Sequence, residues 1–135
     1  MDQDQEMLQK AIMLKQQSEE VERQLNFVKE QISELEKFSE NLKVLDESKE
    51  KEILANLGRG VHMKVDRKTE EKLFVEAGAG VLVRKTPKEA REIIQEQIKK
   101  FNEARLQLTA QLEEYASEFR KMIAEVEKVK EKGKE

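Results

Sequence analysis

The sequence contains no cysteine and no tryptophan, and its 135 residues include one proline, one histidine and one tyrosine. The absence of cysteine excludes disulfides, a thiol nucleophile and a thiolate metal site, and it favours a reducing intracellular compartment. Hydrophobic residues make up 37% of the chain and aromatic residues 4%, against 41% charged residues. Because such a chain has little material for a large core, we expect neither an enzyme nor a cofactor site.

Charge and hydropathy predict neither a nucleic-acid partner nor a membrane segment. The net charge is −3, and no segment is basic enough to follow a phosphate backbone. The first residues, MDQDQEM, are acidic where a secretory signal would be basic, and no apolar run approaches the roughly 18 residues of a membrane span. We therefore expect a cytoplasmic protein.

Two segments carry mainly apolar residues at alternating steps of four and three, the heptad pattern of a coiled coil. The first seam comprises Met7, Ala11, Leu14, Ser18, Val21, Leu25, Val28, Ile32, Leu35, Ser39 and Leu42. The second seam comprises Ile94, Ile98, Phe101, Arg105, Leu108, Leu112, Tyr115, Phe119, Met122, Val126 and Val129.

Both seams span 35 residue steps, or about 50 Å of helix at the usual rise. Equal lengths predict that the chain folds back on itself as an antiparallel coiled-coil hairpin, because neither helix can cover its own stripe. Residues whose numbers add up to about 136 then face each other. Arg105 is the exception in the second seam, and we expect its head to reach Glu30 or Glu34 while its stem packs.

The period of the pattern changes to two between residues 53 and 85, which predicts four short strands in two hairpins. Gly58-Arg59-Gly60 and Gly78-Ala79-Gly80 supply the positive φ angles of tight turns. Thr86, Pro87 and Glu89 then form the capped start of the second helix. We expect one domain of residues 1–135, with a helix over 1–45, a β segment over 46–85 and a helix over 86–135.

Two small hairpins are marginal alone, and their apolar face and free edges need cover. The two long helices make the expected fold mainly α. Because the hairpins need cover, we expect the hairpins of several chains to close into a β-barrel hub. The predicted oligomer interface comprises Val61, Met63, Val65, Leu73, Val75, Val81 and Val83.

The element order and the segment Val75–Ala90, VEAGAGVLVRKTPKEA, resemble the α class of the prefoldin family. The glycine pair with the valine that follows it, Lys85-Thr86 and Glu89-Ala90 carry the likeness. The resemblance implies a hetero-hexamer of two α-class and four β-class subunits. It also implies an ATP-independent chaperone that holds unfolded proteins at its coiled-coil tips and delivers them to a group II chaperonin in the cytosol.

Apolar residues near the free ends exceed what the seams use, notably Leu8, Ile12, Met13 and Ile123. These residues could pack locally or against a neighbouring arm, or they could contact hydrophobic segments of unfolded chains. The family resemblance favours contact with unfolded chains. The predicted client-binding residues are Met7, Leu8, Ile12, Met13, Phe119, Met122, Ile123 and Val126.

Other functions have weaker support in the sequence. His62 has no cysteine or second histidine with which to share a metal, and the glycines at 78 and 80 lack the spacing of a phosphate loop. The strongest rival is a prefoldin-like scaffold that forms homo-oligomers or filaments without clients. A nucleic-acid-binding coiled-coil arm is a third class, which the near-neutral to acidic arms disfavour.

Overall fold

The computed structural model describes residues 2–68 and 72–133 of the chain. Two long helices flank four short strands along the chain, which confirms the predicted mainly α fold with two central hairpins. The elements are α1 (Asp2–Glu47), β1 (Glu52–Gly58), β2 (Val61–Asp66), β3 (Leu73–Glu76), β4 (Leu82–Lys85) and α2 (Pro87–Gly133). They divide into two compact units, a helical unit (residues 1–33 and 100–135) and a hairpin unit (residues 34–99).

The helical unit pairs the first part of α1 with the last part of α2 in the predicted antiparallel register. Val28 and Leu108 line one groove between the helices, and Leu14 and Met122 line another. Both pairs of numbers add up to 136, as the sequence predicted. The α1 seam residues buried in this unit are Leu14, Val21, Leu25, Val28 and Ile32.

The α2 seam is less buried, and three of its apolar members are exposed. Phe119, Val126 and Val129 are 43%, 40% and 63% accessible. Small residues on α1 explain the exposure of Phe119 and Val126. Ser18 lines the same groove as Phe119, and Ala11 lines the same groove as Val126. These short side chains cover less of the opposite helix than leucine would.

Arg105 also departs from the prediction. Its side chain is exposed, and it makes no ion pair with any residue that the structure describes. The neighbouring Ala104 is half-buried instead and lines a groove with Val28 and Leu108. The helix therefore meets its partner through a small residue here and leaves the long cation in water.

The hairpin unit contains the other parts of both helices, with Leu42, Ala90 and Ile98 buried. Ser39 is only 5% accessible, and its Oγ accepts a hydrogen bond of 2.8 Å from the Nε2 of Gln95. A buried hydroxyl without a partner would be destabilising, so this bond makes a polar residue tolerable in an apolar seam.

Both helix boundaries next to the hairpins follow from local hydrogen bonds. Helix α1 extends to Glu47, two residues beyond the predicted end, and the Ser48 amide still donates to the Val44 carbonyl at 2.9 Å. Helix α2 begins at Pro87 after the predicted capping box. The Glu89 amide donates to Thr86 Oγ1 at 3.1 Å, and the Thr86 amide donates to Glu89 Oε1 at 3.2 Å.

The strands form two separate antiparallel hairpins, β1 with β2 and β3 with β4. Ile53 pairs with Val65, Ala55 with Met63, and Val75 with Val83. Side chains alternate along each strand, so each of these pairs shares one face of its hairpin. Within the described residues, every strand is hydrogen-bonded to a neighbour along one edge only.

Both hairpins turn through two residues with positive φ, the geometry of a type I′ turn. Arg59 and Gly60 have φ of 51° and 80°, and Ala79 and Gly80 have φ of 50° and 76°. The predicted positive φ of the turn glycines is thus confirmed. The Val81 amide closes the second turn by donating to the Gly78 carbonyl at 3.0 Å, so Val81 lies before β4 and not within it.

Candidate functional site

An open groove between the two helices of the helical unit exposes much apolar surface. Its walls near the helix ends comprise Asp4, Met7, Leu8, Ala11, Phe119, Met122, Ile123, Val126, Glu127 and Lys130. A second stretch shares Ala11 and Phe119 with the first and continues along Ile12, Ser18, Leu112, Tyr115 and Ala116. We call the two stretches together the apolar groove.

Helical periodicity places these side chains beside the seam. Leu8 and Ile12 are four residues apart on α1, and Phe119 and Ile123 are four apart on α2, so each pair forms a short ridge on one side of its helix. Leu8, Ile12 and Ile123 are 62%, 48% and 46% accessible. In the described part of the helical unit, the ridges thus stay about half exposed, because the seams occupy the facing surfaces.

The structure brings seven of the eight predicted client-binding residues to the apolar groove. The eighth, Met13, lies on the opposite side of the helix pair, in a groove with Lys10, Glu118, Lys121 and Glu125. The seam residues Met7 and Met122 line both grooves. Leu8, Ile12 and Met13 are thus not one continuous strip, although a role of all eight residues in client binding stays a prediction.

An exposed phenylalanine on α1 was not among the predicted residues. Phe27 is 57% accessible and lines a groove with Val28, Ala104 and Leu108 in the same helical unit. Its sequence signal is the same as that of Leu8, an apolar residue next to a seam position. The rest of this groove is polar, with Glu20, Arg23 and three glutamines in its walls.

The charged side chains around the apolar groove are exposed to solvent. Arg120 donates to Glu113 at 3.1 Å, with both side chains largely exposed. Lys15 lines the same stretch of groove as Arg120 and makes no ion pair within the described part of the chain. Elsewhere on α1, a hydrogen bond and the charge of Arg23 lower the pKa of the Glu20 carboxyl.

The predicted oligomer-interface residues fall into two groups. Four of them, Val65, Leu73, Val75 and Val83, are half-buried, whereas Val61, Met63 and Val81 are exposed. Ile53 and Ala55 were not predicted as interface residues, yet they pair with Val65 and Met63 on the same face of the first hairpin. The interface itself stays a prediction.

The other face of the second hairpin is also partly apolar. Phe74 pairs with Arg84 across the strands, and the guanidinium carbon lies 5.3 Å from the ring centroid. This cation–π contact covers part of the ring, and Phe74 is still 62% accessible.

Neither a metal site nor a membrane span is found in the described ranges. No group of three or more His, Cys, Asp and Glu side chains there could hold a metal ion. In residues 2–68 and 72–133, neither helix has the apolar stretch that crossing a bilayer requires.

Comparison with known proteins decides the family. The sequence profile described as "Prefoldin subunit" matches residues 14–132, which is most of the chain and includes all four strands and most of both helices. This chain belongs to the prefoldin family.

Two curated prefoldin subunits share substantial sequence with this chain. Prefoldin subunit alpha of Archaeoglobus fulgidus is 36% identical over 75 residues, covering 56% of this chain and 55% of the relative. Prefoldin subunit alpha 2 of Thermococcus kodakarensis is 31% identical over 90 residues, covering 67% of this chain and 63% of the relative. The matches therefore span less than two thirds of either relative, and they confirm the predicted likeness to α-type prefoldin subunits.

A solved prefoldin structure has the same fold. A chain of the filamentous PFD from Methanocaldococcus jannaschii, determined by cryo-EM, superimposes with a TM-score of 0.72. The match covers 87% of this prefoldin chain and 98% of the other, with 22% sequence identity.

Proposed function

We propose that this prefoldin subunit is part of an ATP-independent holdase that binds non-native proteins in the apolar groove. The supporting observation is the surplus of apolar surface at Leu8, Ile12 and Ile123, which the helix pairing leaves uncovered. Open apolar surface with methionines suits weak contact with many hydrophobic sequences. The proposed role needs neither a catalytic group nor a cofactor.

A matched pair of double variants tests this role. Ile12→Ser with Ile123→Ser removes two exposed apolar side chains from the groove, whereas Phe27→Ser with Leu106→Ser removes two that are even more exposed from elsewhere in the helical unit. Assembled with its partner subunits, the groove variant should suppress aggregation of a denatured test protein less well than the control. If each isoleucine is well covered by the client, affinity at this groove falls on the order of tenfold or more.

Partner subunits contribute coiled coils of their own, so we expect a partial loss of protection in the mixed complex. Circular dichroism and sedimentation should give the same helicity and size for both variants. Equal protection by the groove variant and the control would refute client binding in this groove.

We further propose that the chain assembles with β-class prefoldin subunits as a hexamer of two α-class and four β-class chains in the cytoplasm. The half-buried hairpin face with Val75 and Val83 is the proposed hub contact, and the two α-class relatives support the subunit class. We also propose that this hexamer passes its clients to a group II chaperonin. Co-purification from the source cell should then yield β-class subunits and chaperonin.

A homo-oligomeric or filamentous scaffold is the second candidate, because one solved neighbour with this fold is a filamentous PFD. The two proposals differ in what the purified chain does alone. Native mass spectrometry should find complete assembly only after β-class subunits are added if the chain belongs to a hetero-hexamer. Long homopolymers of the chain alone would favour the scaffold.

A further inference from the structure

The walls of the apolar groove repeat with the spacing of a third coiled-coil helix. Among the α1 residues that line the groove, one row has alternating steps of four and three: Asp4, Leu8, Ala11, Lys15, Ser18 and Glu22. On α2 the residues Leu112, Ala116, Phe119, Ile123, Val126 and Lys130 keep the same alternation. Helix-in-groove recognition uses this periodicity, since an amphipathic helix presents its anchors at i, i+3, i+4 and i+7.

The floor and the length of the groove also suit a helix. Ala11, Ser18 and Ala116 are small, so the backbone of an occupant can approach closely. The walls run from Asp4 to Glu22 and from Leu112 to Lys130, which is 18 residue steps on each helix. At the rise of an α-helix this is about 27 Å, or about five turns.

The charged residues along the groove indicate which charge a bound segment should carry. Lys15 and Arg120 line the second stretch near the middle of the groove, and Glu22 lines its inner end. Arg120 is paired with Glu113, whereas Lys15 makes no ion pair with a described residue. Asp4, Glu127 and Lys130 line the outer stretch. Lys15 is therefore the cation near the middle of the groove that can pair with an acidic residue beside the apolar stripe of the occupant.

We propose that the apolar groove selects amphipathic α-helical segments of client proteins, with an acidic residue near the middle of the apolar stripe. This inference rests on the proposed client binding and adds the conformation and charge of the bound segment. An extended segment would alternate its side chains every second residue, and it would not match walls that repeat every three and four residues.

Three synthetic peptides test the inference with the assembled complex. The first is an 18-residue amphipathic helix with leucines at heptad spacing and two glutamates beside its centre. The second carries proline in the middle of the same sequence, and the third has lysines in place of the glutamates. Because the chain has no cysteine, Glu19→Cys accepts one fluorophore at an exposed site near the groove, and its response to peptide reports this subunit alone.

The glutamate peptide should bind about tenfold or more tightly than the proline peptide, because proline breaks a central helix. Lys15→Glu should weaken the glutamate peptide and strengthen the lysine peptide. Lys10→Glu is the matched control, since Lys10 lines the opposite groove, and it should change neither affinity.

Equal binding of the proline peptide, or no binding of the glutamate peptide, would overturn helix selection. Equal responses to Lys15→Glu and Lys10→Glu would overturn the charge preference. The aggregation assay with the isoleucine variants tests client binding separately, so a groove that protects clients but binds both peptides equally refutes only the further inference.

Discussion

Thr86 and Glu89 hold the first turn of α2 through two reciprocal hydrogen bonds. The backbone hydrogen bond from Thr86 is the largest cause that lowers the pKa of the Glu89 carboxyl, followed by the side-chain bond and the nearby Lys85. Lys85 is close enough to form an ion pair, with its Nζ 3.9 Å from Glu89 Oε2. The charged form of Glu89 is therefore the one that stabilises the folded chain.

The lowered pKa gives a prediction with a definite sign. The contribution of Glu89 should be fully present above its ordinary pKa of 4.5 and should disappear as the pH falls through the lower pKa of the folded state. Glu89→Gln should therefore lower the melting temperature at pH 7, and the difference should shrink progressively as the pH falls below 4.5. Circular dichroism melts at several pH values measure this, with Glu96→Gln, an exposed glutamate outside the capping box, as control. A pH-independent difference would contradict the role of the charge.

Single residues also explain how far the sequence determined the site. The capping box and the turn glycines were predictable because each acts within a few residues. The exposure of Arg105 was not predictable from the heptad pattern, because the pattern assigns residue 105 to the seam without comparing it with residue 104. Ala104 packs more closely against the other helix than arginine can. Met13 was grouped with Leu8 and Ile12 by proximity in sequence, whereas the helical rotation between them puts it on the opposite side.

At the scale of the elements, the apolar groove exists because α1 carries small residues in its seam. Ser18 lies opposite Phe119 and Ala11 opposite Val126, so both larger side chains stay partly exposed. A seam filled with leucine throughout would bury more surface and leave a shallower groove. Stability of the helix pair and openness of the groove are therefore in conflict here.

This conflict predicts a stabilised but less active variant. Ser18→Leu should raise the free energy of unfolding by about 1 kcal/mol, because it covers Phe119 and adds partly buried apolar surface. It should also weaken aggregation suppression, because the added side chain occupies the groove. Urea denaturation and the aggregation assay measure the two effects on one assembled sample.

Gln17→Leu is the control for this experiment, since Gln17 lies in the opposite groove beside Met13. It should leave client protection unchanged. Better protection by Ser18→Leu than by the parent would mean that added apolar surface matters more than groove depth.

The helices and hairpins were predictable as elements because each has its own period in the sequence. The register followed from the equal seams. The uneven burial of the α2 seam depends on which α1 side chain lies opposite, so it required the register and the side-chain sizes together. Ile53 and Ala55 were missed as interface candidates, although the pairing of β1 with β2 puts them on the same face as Val65 and Met63.

At the scale of the whole molecule, the hairpins leave several large apolar side chains exposed, among them Leu54, Phe74 and Leu82. Val83 is half-buried and pairs with Val75 on one face of the second hairpin, whereas its neighbour Leu82 is on the other face. We expect assembly to cover the face with Val83, as the alternating pattern of the four strands predicts.

Val83→Asp should then divide the complex into smaller species, because an unpaired charge in a buried interface costs several kcal/mol. Sedimentation velocity measures the size, and circular dichroism should still find most of the helical content. Leu82→Asp puts the same charge on the opposite face of the same strand and should perturb assembly less. A reversed order of the two variants would place the interface on the other face.

The unpaired strand edges have a consequence for how the cell makes this protein. Each described strand is hydrogen-bonded along one side only, so an unassembled copy presents open backbone donors and acceptors that template pairing with other chains. In the proposed hetero-hexamer, a newly made copy carries this hazard until partner subunits cover its edges. We therefore expect a cell to gain from making the subunits in balanced amounts.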